Sequence, residues 1–414
     1  MESHKTRRDM VAVAVAVAVA LALPLAACSS GGSSGSSGSS AVVTTLNVVD
    51  YYNNEPDNGF YQKALDACGQ ANGITIQRQA IPGASLIAKV LQMSSSRTLP
   101  DVLMLDNPDL QQIASTGALT PLSDYGLSAD GYIKGVVDAS TYEGKLYGLQ
   151  PVTNSIGLFY NTDLLSAAGV KPPTTWDELK AAAQKLTKGD QYGIAFAAPA
   201  NYEGTWQFLP FMWSNGGDEK DIATPQTAAA LQLWVDLVNS GSASKSVVTW
   251  TQADVNDQFA AGKAAMMING PWQLPVLNQK AGLHFGILPT PAPKAGDTVI
   301  SPLGGETWTV PNTGDKAKEA AAAKIVACLN SDPSQMTLAA ERQTVPTKTA
   351  LASSFDAAQP SMKGFTAIVQ TARARTGELG VNWPAAATKI YTAVQSSLAG
   401  GVPPLTALQQ AQNG

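Results

Sequence analysis

From residue 45 onward the chain alternates short β-branched runs with stretches of helical period, and this alternation narrows its fold more than any other feature. Residues 46–49 read as a strand, 60–71 as a helix, 74–77 as a strand, 86–93 as a helix and 102–105 as a strand. Strand, helix, strand in repetition predicts an α/β architecture with a mostly parallel sheet covered on both faces. Right-handed crossovers then bring the loops after the strands to one sheet edge, where open α/β sheets bind ligands. Those loops are residues 51–58 and 106–109.

A second set of elements begins after Gly148. Residues 156–160 read as a strand, and Thr175-Trp176-Asp177-Glu178 is a capping box whose hydroxyl and carboxylate satisfy free amides at a helix start. Residues 192–196, a helix at 225–239 and the run 264–268 complete a second α/β unit. Further strand candidates at 283–288 and 308–310 precede helices at 316–329 and 335–340 and a helical tail. A chain of 414 residues, 44% of them hydrophobic, has material for two large lobes, each with its own core.

The N-terminus carries Lys5, Arg7 and Arg8 ahead of the apolar run 11–27, which reads as a signal peptide over residues 1–27. The run is short of the roughly 20 residues that span a bilayer, so no transmembrane helix is expected in the mature chain. Leu25-Ala26-Ala27-Cys28 resembles the bacterial lipobox, which implies a lipid on Cys28 and a place on the outer face of the cytoplasmic membrane. The Ser/Gly tract that follows cannot pack, and 28–41 reads as a tether. Thr6-Arg7-Arg8 also resembles part of a twin-arginine signal, which leaves the export route open.

A net charge of -5 gives no basic footprint for nucleic acid. Past residue 10 the arginines are Arg78, Arg97, Arg342, Arg373 and Arg375, too few and scattered for a phosphate-reading surface. Cys68 and Cys328 remain once Cys28 is assigned to lipid. An oxidising compartment permits a disulfide, but the two fall in different lobes of the division given below, which favours two buried free thiols. Metal-ligand spacings are absent, and His284 lies in an apolar run, so neither a metal nor another cofactor is expected.

Six local patterns occur in order along most of the mature chain. They are Pro100-Asp101-Val102 through Gly117-Ala118-Leu119-Thr120-Pro121-Leu122; Tyr142-Glu143-Gly144-Lys145-Leu146-Tyr147-Gly148-Leu149; Leu158-Phe159-Tyr160-Asn161-Thr162-Asp163-Leu164-Leu165; Pro173-Thr174-Thr175-Trp176-Asp177-Glu178-Leu179; Gly262-Lys263-Ala264-Ala265-Met266-Met267-Ile268-Asn269-Gly270-Pro271-Trp272; and Leu303-Gly304-Gly305-Glu306. Together they resemble family 1 extracellular solute-binding proteins, the maltose-binding type that serves ABC importers. The resemblance implies a two-lobed periplasmic-binding-protein-like fold with several hinge crossings, placed near 152–155, 279–283 and 310–314. Lobe one is then expected to hold 42–153 and 282–310, and lobe two 154–281 and 311–412. The implied activity is capture of a neutral sugar or oligosaccharide by a monomer and delivery to membrane permease subunits, without catalysis.

A sugar presents hydroxyls that donate and accept, and flat C–H faces, so its site needs carboxylates, amides and aromatic rings. Tyr51, Tyr52, Asn53 and Glu55 follow the first strand, and Asp106 and Asn107 follow the third. Strand alternation sends one of the two tyrosines toward the core. By family position Asn154 lies at the first crossing, where an amide replaces a carboxylate of the maltose-binding type. Trp206 stands where the family commonly has an aromatic platform, and Trp272, Trp383 and Tyr202 offer further rings. Gly304 and Gly305 let backbone amides approach a ligand, with Glu306 as acceptor. Arg342 is placed either to pair with a cleft carboxylate or to bind a ring hydroxyl. Trp176, Trp213 and Trp234 are assigned to packing. Two rival readings remain: a secreted carbohydrate-active hydrolase, whose carboxylate pair nothing in the sequence marks, and a binding protein for another small solute.

Overall fold

The computed structural model describes residues 42–414. The signal peptide, Cys28 and the tether lie outside the described residues.

The first sheet is built from β1 (Thr45–Asp50), β2 (Thr75–Ala80) and β3 (Val102–Asp106), joined by helices α1 (Asp57–Asn72) and α2 (Gly83–Ser96). These strands pair in parallel, with β1 in the middle. Alternation along them fills two layers. Leu46, Val48, Val102 and Met104 share a cluster with Tyr61 and Leu65 of α1. Val49, Leu103 and Leu105 share another with Leu86, Val90 and Met93 of α2. Gly73, at a φ of 66°, closes α1 in the left-handed conformation that lets the chain turn into β2. The short β4 (Gly148–Leu149) joins the same sheet at its far edge.

The second sheet contains β5 (Gly157–Asn161), β6 (Tyr192–Ala195) and β7 (Ala264–Asn269). Between them run α3 (Trp176–Leu186), α4 (Tyr202–Ser214) and α5 (Pro225–Asn239). The capping box at α3 forms as expected from Thr175 and Glu178. Every residue of β7 is buried, as a strand covered on both faces requires. Trp176, Trp213 and Trp234 are buried in this core, in agreement with their assignment to packing.

Strand pairing and helix packing correct two expectations and qualify a third. First, β8 (Phe285–Leu288) pairs antiparallel with β5, so it belongs to the second sheet and not to lobe one. The strand-like run gave its type, but a strand does not announce which sheet it joins. Only after β9 (Pro302–Leu303) does β10 (Glu306–Thr309) enter the first sheet, between β3 and β4. Second, each sheet is mostly parallel in strand direction, as expected, but carries one reversed strand: β10 runs antiparallel to β3 and β4, and β5 antiparallel to β7 and β8. Strands that arrive by crossing from the other lobe are not bound by the βαβ rule that makes neighbours parallel.

Third, α6 (Lys316–Leu329) and α7 (Asp332–Arg342) pack on α1, against the first sheet, although 311–412 was expected in lobe two. The apolar face Ala322, Ile325, Val326 and Leu329 lies in the same cluster as Leu65 and Val48. Cys328 of α6 is bonded to Cys68 of α1, with a Cα–Cα distance of 5.7 Å, so the reading of two free thiols was wrong along with the lobe division on which it stood. After the short β11 (Arg373–Ala374), which pairs with β9, the chain enters α8 (Trp383–Leu398), whose buried face joins the second core.

Candidate functional site

The end of β3 carries Asp106, and a 3-10 turn of Asn107–Asp109 follows directly. Asp106 makes no cap to that turn. Its carboxylate instead accepts two hydrogen bonds from Arg375, one of them 3.0 Å, and the same guanidinium donates to Asn107 Oδ1 at 3.0 Å. This planar fork is the strong, bidentate form of an arginine–carboxylate pair. The Arg375 guanidinium carbon lies 4.7 Å from the ring centre of Trp206 on α4 and 5.5 Å from that of Trp383, the first residue of α8. Arg375 thus touches a carboxylate at the edge of the first sheet and two indoles that belong to the second core.

Polar atoms without partners gather around it. Arg375 Nε, Thr376 Oγ1, Trp383 Nε1 and Asp109 Oδ1 are buried with no hydrogen-bond partner among the described residues. Each such atom costs about 1–3 kcal/mol until something pairs with it. Burial pushes the Asp109 carboxyl up to about 8, with the neighbouring Asp106 adding to the shift and Arg375 and Tyr202 opposing it. Asp109 is therefore protonated at neutral pH. Tyr202, at the start of α4, meets Trp383 edge-on at 5.2 Å.

The crossing at Asn154 closes the floor. Asn154 bridges to Gly304, whose amide donates to the Asn154 carbonyl at 2.9 Å. A Cβ on Gly304 would stand 2.1 Å from Asn154 Oδ1 and 2.7 Å from the Trp206 ring, so only glycine admits this approach. Gly305 has a φ of 111°, and a Cβ there would meet Gln150 Nε2 at 2.1 Å.

Glu306 is the register partner of Asp106 across β10 and β3. It accepts from Tyr51 Oη at 2.5 Å. Burial raises its carboxyl above the usual range, Arg342 and the tyrosine hydroxyls pull it back, and Asp106 adds to the rise. Arg342 is buried, forked onto Asp57 at 2.9 and 3.0 Å, bonded to Tyr61 Oη at 3.0 Å, and stacked over Tyr52 at 4.7 Å. Of its two sequence-based roles the carboxylate pair is the one the fold uses, with Glu306 3.7 Å away as a second partner.

Of the residues expected at a site, Asp106, Asn107, Asn154, Tyr202, Trp206, Gly304 and Trp383 come together around Arg375, and Gly305, Glu306 and Tyr51 adjoin them. Tyr52 is the tyrosine that alternation sends inward: it is buried and stacks on Tyr61 at 4.0 Å. Asn53 and Glu55 are exposed, and Glu55 accepts from the amide of Gly59 and so serves the first turn of α1. Trp272 is half-buried against the second core, lying over Gly270, where a Cβ would be 1.9 Å from its ring. Sequence reasoning missed Arg375 and Asp109. Arg373-Ala374-Arg375 was the available signal, because two arginines two positions apart share a strand face and a buried guanidinium must find a carboxylate.

The family model described as bacterial extracellular solute-binding protein matches residues 63–364. A maltooligosaccharide ABC transporter solute-binding lipoprotein of Streptococcus pneumoniae is 24% identical over 285 residues, 63% of this chain and 63% of that protein. This chain spans about three-fifths of the length of the curated relatives it matches. Among solved structures, maltose-bound MalE3 of T. maritima superposes with a TM-score of 0.80 at 24% identity, covering 90% of this chain and 98% of that one. The GacH receptor of Streptomyces glaucescens, solved unliganded and with acarbose, gives 0.76 at 25% identity, covering 90% and 97%. With a family match across most of its length and a two-lobed fold shared from end to end, the chain belongs to the bacterial extracellular solute-binding proteins.

Proposed function

We propose that this protein captures a neutral sugar or oligosaccharide between its lobes and delivers it unchanged to the permease of an ABC importer. The observation that carries the reading is the clamp itself: the indoles of Trp206 and Trp383 stand beside the Asp106 carboxylate, the pairing of flat ring and acceptor that a sugar's C–H face and hydroxyls require. The names of the pneumococcal relative and of the T. maritima structure, maltooligosaccharide and maltose, support the same ligand class. Ligand that touches both lobes stabilises the closed form by its differential affinity, and the permease reads closure.

In this reading Cys28 carries lipid, the 28–41 tether holds the protein as a monomer at the outer face of the membrane, and no bond of the ligand is cleaved. The hydrolase alternative has little support: His284 is exposed and bonded to Asp163, and the Asp106 carboxylate at the clamp is tied to Arg375. Thermal denaturation of the mature protein against a panel of mono- and oligosaccharides tests the proposal. A saturable rise in melting temperature with the sugar recovered intact is the expected result. A panel without any shift, or a sugar recovered as cleaved product, overturns it.

A further inference from the structure

Arg375 is held in a manner that a buried arginine does not need for packing alone. Its guanidinium carbon lies over two indoles contributed by the second core, and one edge presents two N–H groups side by side to the two oxygens of Asp106. The vicinal hydroxyls of a pyranose present the same pattern to a carboxylate, two parallel donors on one edge, and the ring's C–H face lies on an indole as the guanidinium does. The residue two positions earlier repeats the theme without reaching across. Arg373 lies 4.5 Å from the ring centre of Trp213, two turns along α4, and pairs with Asp218 and Glu219 beside that indole. Arg373 thus fastens the strap to the second body, while Arg375 spans from those indoles to the edge of the first sheet.

We infer that Arg375 is an internal stand-in for the ligand: it occupies the Trp206–Trp383–Asp106 clamp, and a sugar binds by placing a vicinal-diol edge on Asp106 and displacing the guanidinium. The inference rests on the carbohydrate reading for the nature of the displacing ligand, and on the geometry alone for the occupancy of the clamp. It names a selection rule. A ring that brings two adjacent hydroxyls to Asp106 replaces both hydrogen bonds, whereas one that brings a carboxylate to that edge meets a like charge. The unpaired Arg375 Nε and Trp383 Nε1 fit the same picture, since an occupant that only partly matches the clamp leaves donors unused.

Two arms test it with the purified mature protein, Arg375→Ala and Arg375→Lys. In the first arm no sugar is used. Ethylguanidinium at millimolar concentration raises the melting temperature of R375A saturably and returns its tryptophan emission to that of the wild type, while ethylammonium, which has the charge but no planar fork, does neither. Absence of guanidinium rescue in a folded R375A overturns occupancy of the clamp. Should R375A fail to fold, R375K carries the arm, with ethylguanidinium expected to shift its emission toward that of the wild type and an unchanged emission counting against the clamp.

In the second arm maltose, maltotriose and every sugar that shifts the wild type are titrated into the variants. Affinity is expected to rise on the order of tenfold in R375A, equivalent to about 1.4 kcal/mol, because the internal competitor is gone. R375K is expected to lie between. Unchanged or weaker affinity makes Arg375 a bystander or a ligand donor and overturns the inference. A panel in which no sugar binds either protein sinks the carbohydrate reading and the diol rule together, and the guanidinium arm still decides whether the clamp exists.

Discussion

Cys68 and Cys328 are bonded to each other, joining α1 to α6 across a sequence separation of 260 residues. The bond closes most of the described chain into one loop. It also fixes the register of two helices that share one core cluster, with Ala322, Ile325 and Val326 of α6 beside Leu65 of α1. In the chain-entropy account such a crosslink acts on the unfolded ensemble, and a loop this long gives a stabilisation of about 5 kcal/mol. Replacing both cysteines by alanine is expected to lower the unfolding free energy by that amount in urea titrations, and adding reductant to the wild type should reproduce the loss. Coincident curves for the two proteins would show that the bond is not formed in solution.

Arg342 has its fork committed to Asp57 and its face to Tyr52 and Tyr61. Its role is to hold α7 against α1 and to keep a positive charge beside Glu306. Substitution by alanine leaves Glu306 buried without that charge, and breaking a buried pair from one side costs about 3–5 kcal/mol. A fall of this size in denaturant titrations is expected for R342A. A variant as stable as the wild type but unable to bind sugar would instead return Arg342 to the ligand site.

Asp109 gives the protein a pH dependence whose sign can be worked out. Its carboxyl is raised to about 8 in the fold, mainly by burial, while in the unfolded chain it titrates near the ordinary aspartate value of 3.8. Between those values the native state holds a proton that the unfolded state has released, so stability falls as pH rises through the window, by up to about 1.4 kcal/mol per pH unit. Below the unfolded value both states are protonated and the effect vanishes; above about 8 it levels off. Asp109→Asn removes the group that titrates. Denaturation midpoints followed from acid to mildly alkaline pH should slope downward in the wild type and flatten in D109N, and parallel profiles would contradict the assignment.

Local signals in the sequence reached the elements but not their assembly. The β-branched runs became β1, β2 and β3, and the capping box at Thr175 became the start of α3, because strand and helix type are settled within a few residues. Membership of a lobe is decided by partners hundreds of positions away. The apolar stripe of α6 says that a face is buried, yet Ala322 and Ile325 fit either core equally well, and the disulfide alone would have told which. The site divides in the same way. Trp206, Trp383 and Asp106 were legible as ring and carboxylate chemistry, whereas Arg375 follows directly on the short strand β11, whose place is set entirely by the return of β9. Tyr51 and Tyr52 were separable in kind by alternation, though not individually, since the pleat fixes opposite faces without naming which is inside.

Gly304 offers the most direct test that the two bodies meet where the clamp has been placed. Its amide bonds to the Asn154 carbonyl, and its α-carbon faces both Asn154 Oδ1 and the Trp206 ring at distances that leave no room for a methyl group. Trp206 is buried and part of the second core, so its ring does not swing aside at small cost. In G304A the added methyl is therefore expected to push α4 away from the crossing, at about 1–3 kcal/mol of overpacking. Two readouts should move together. The radius of gyration from solution scattering is expected to increase as the lobes part, and sugar affinity is expected to fall by at least tenfold, since ligand must then supply the closure that the wild type makes readily. If affinity falls while the scattering curve is unchanged, Gly304 acts only by giving the ligand access to backbone, and the wedge mechanism is wrong.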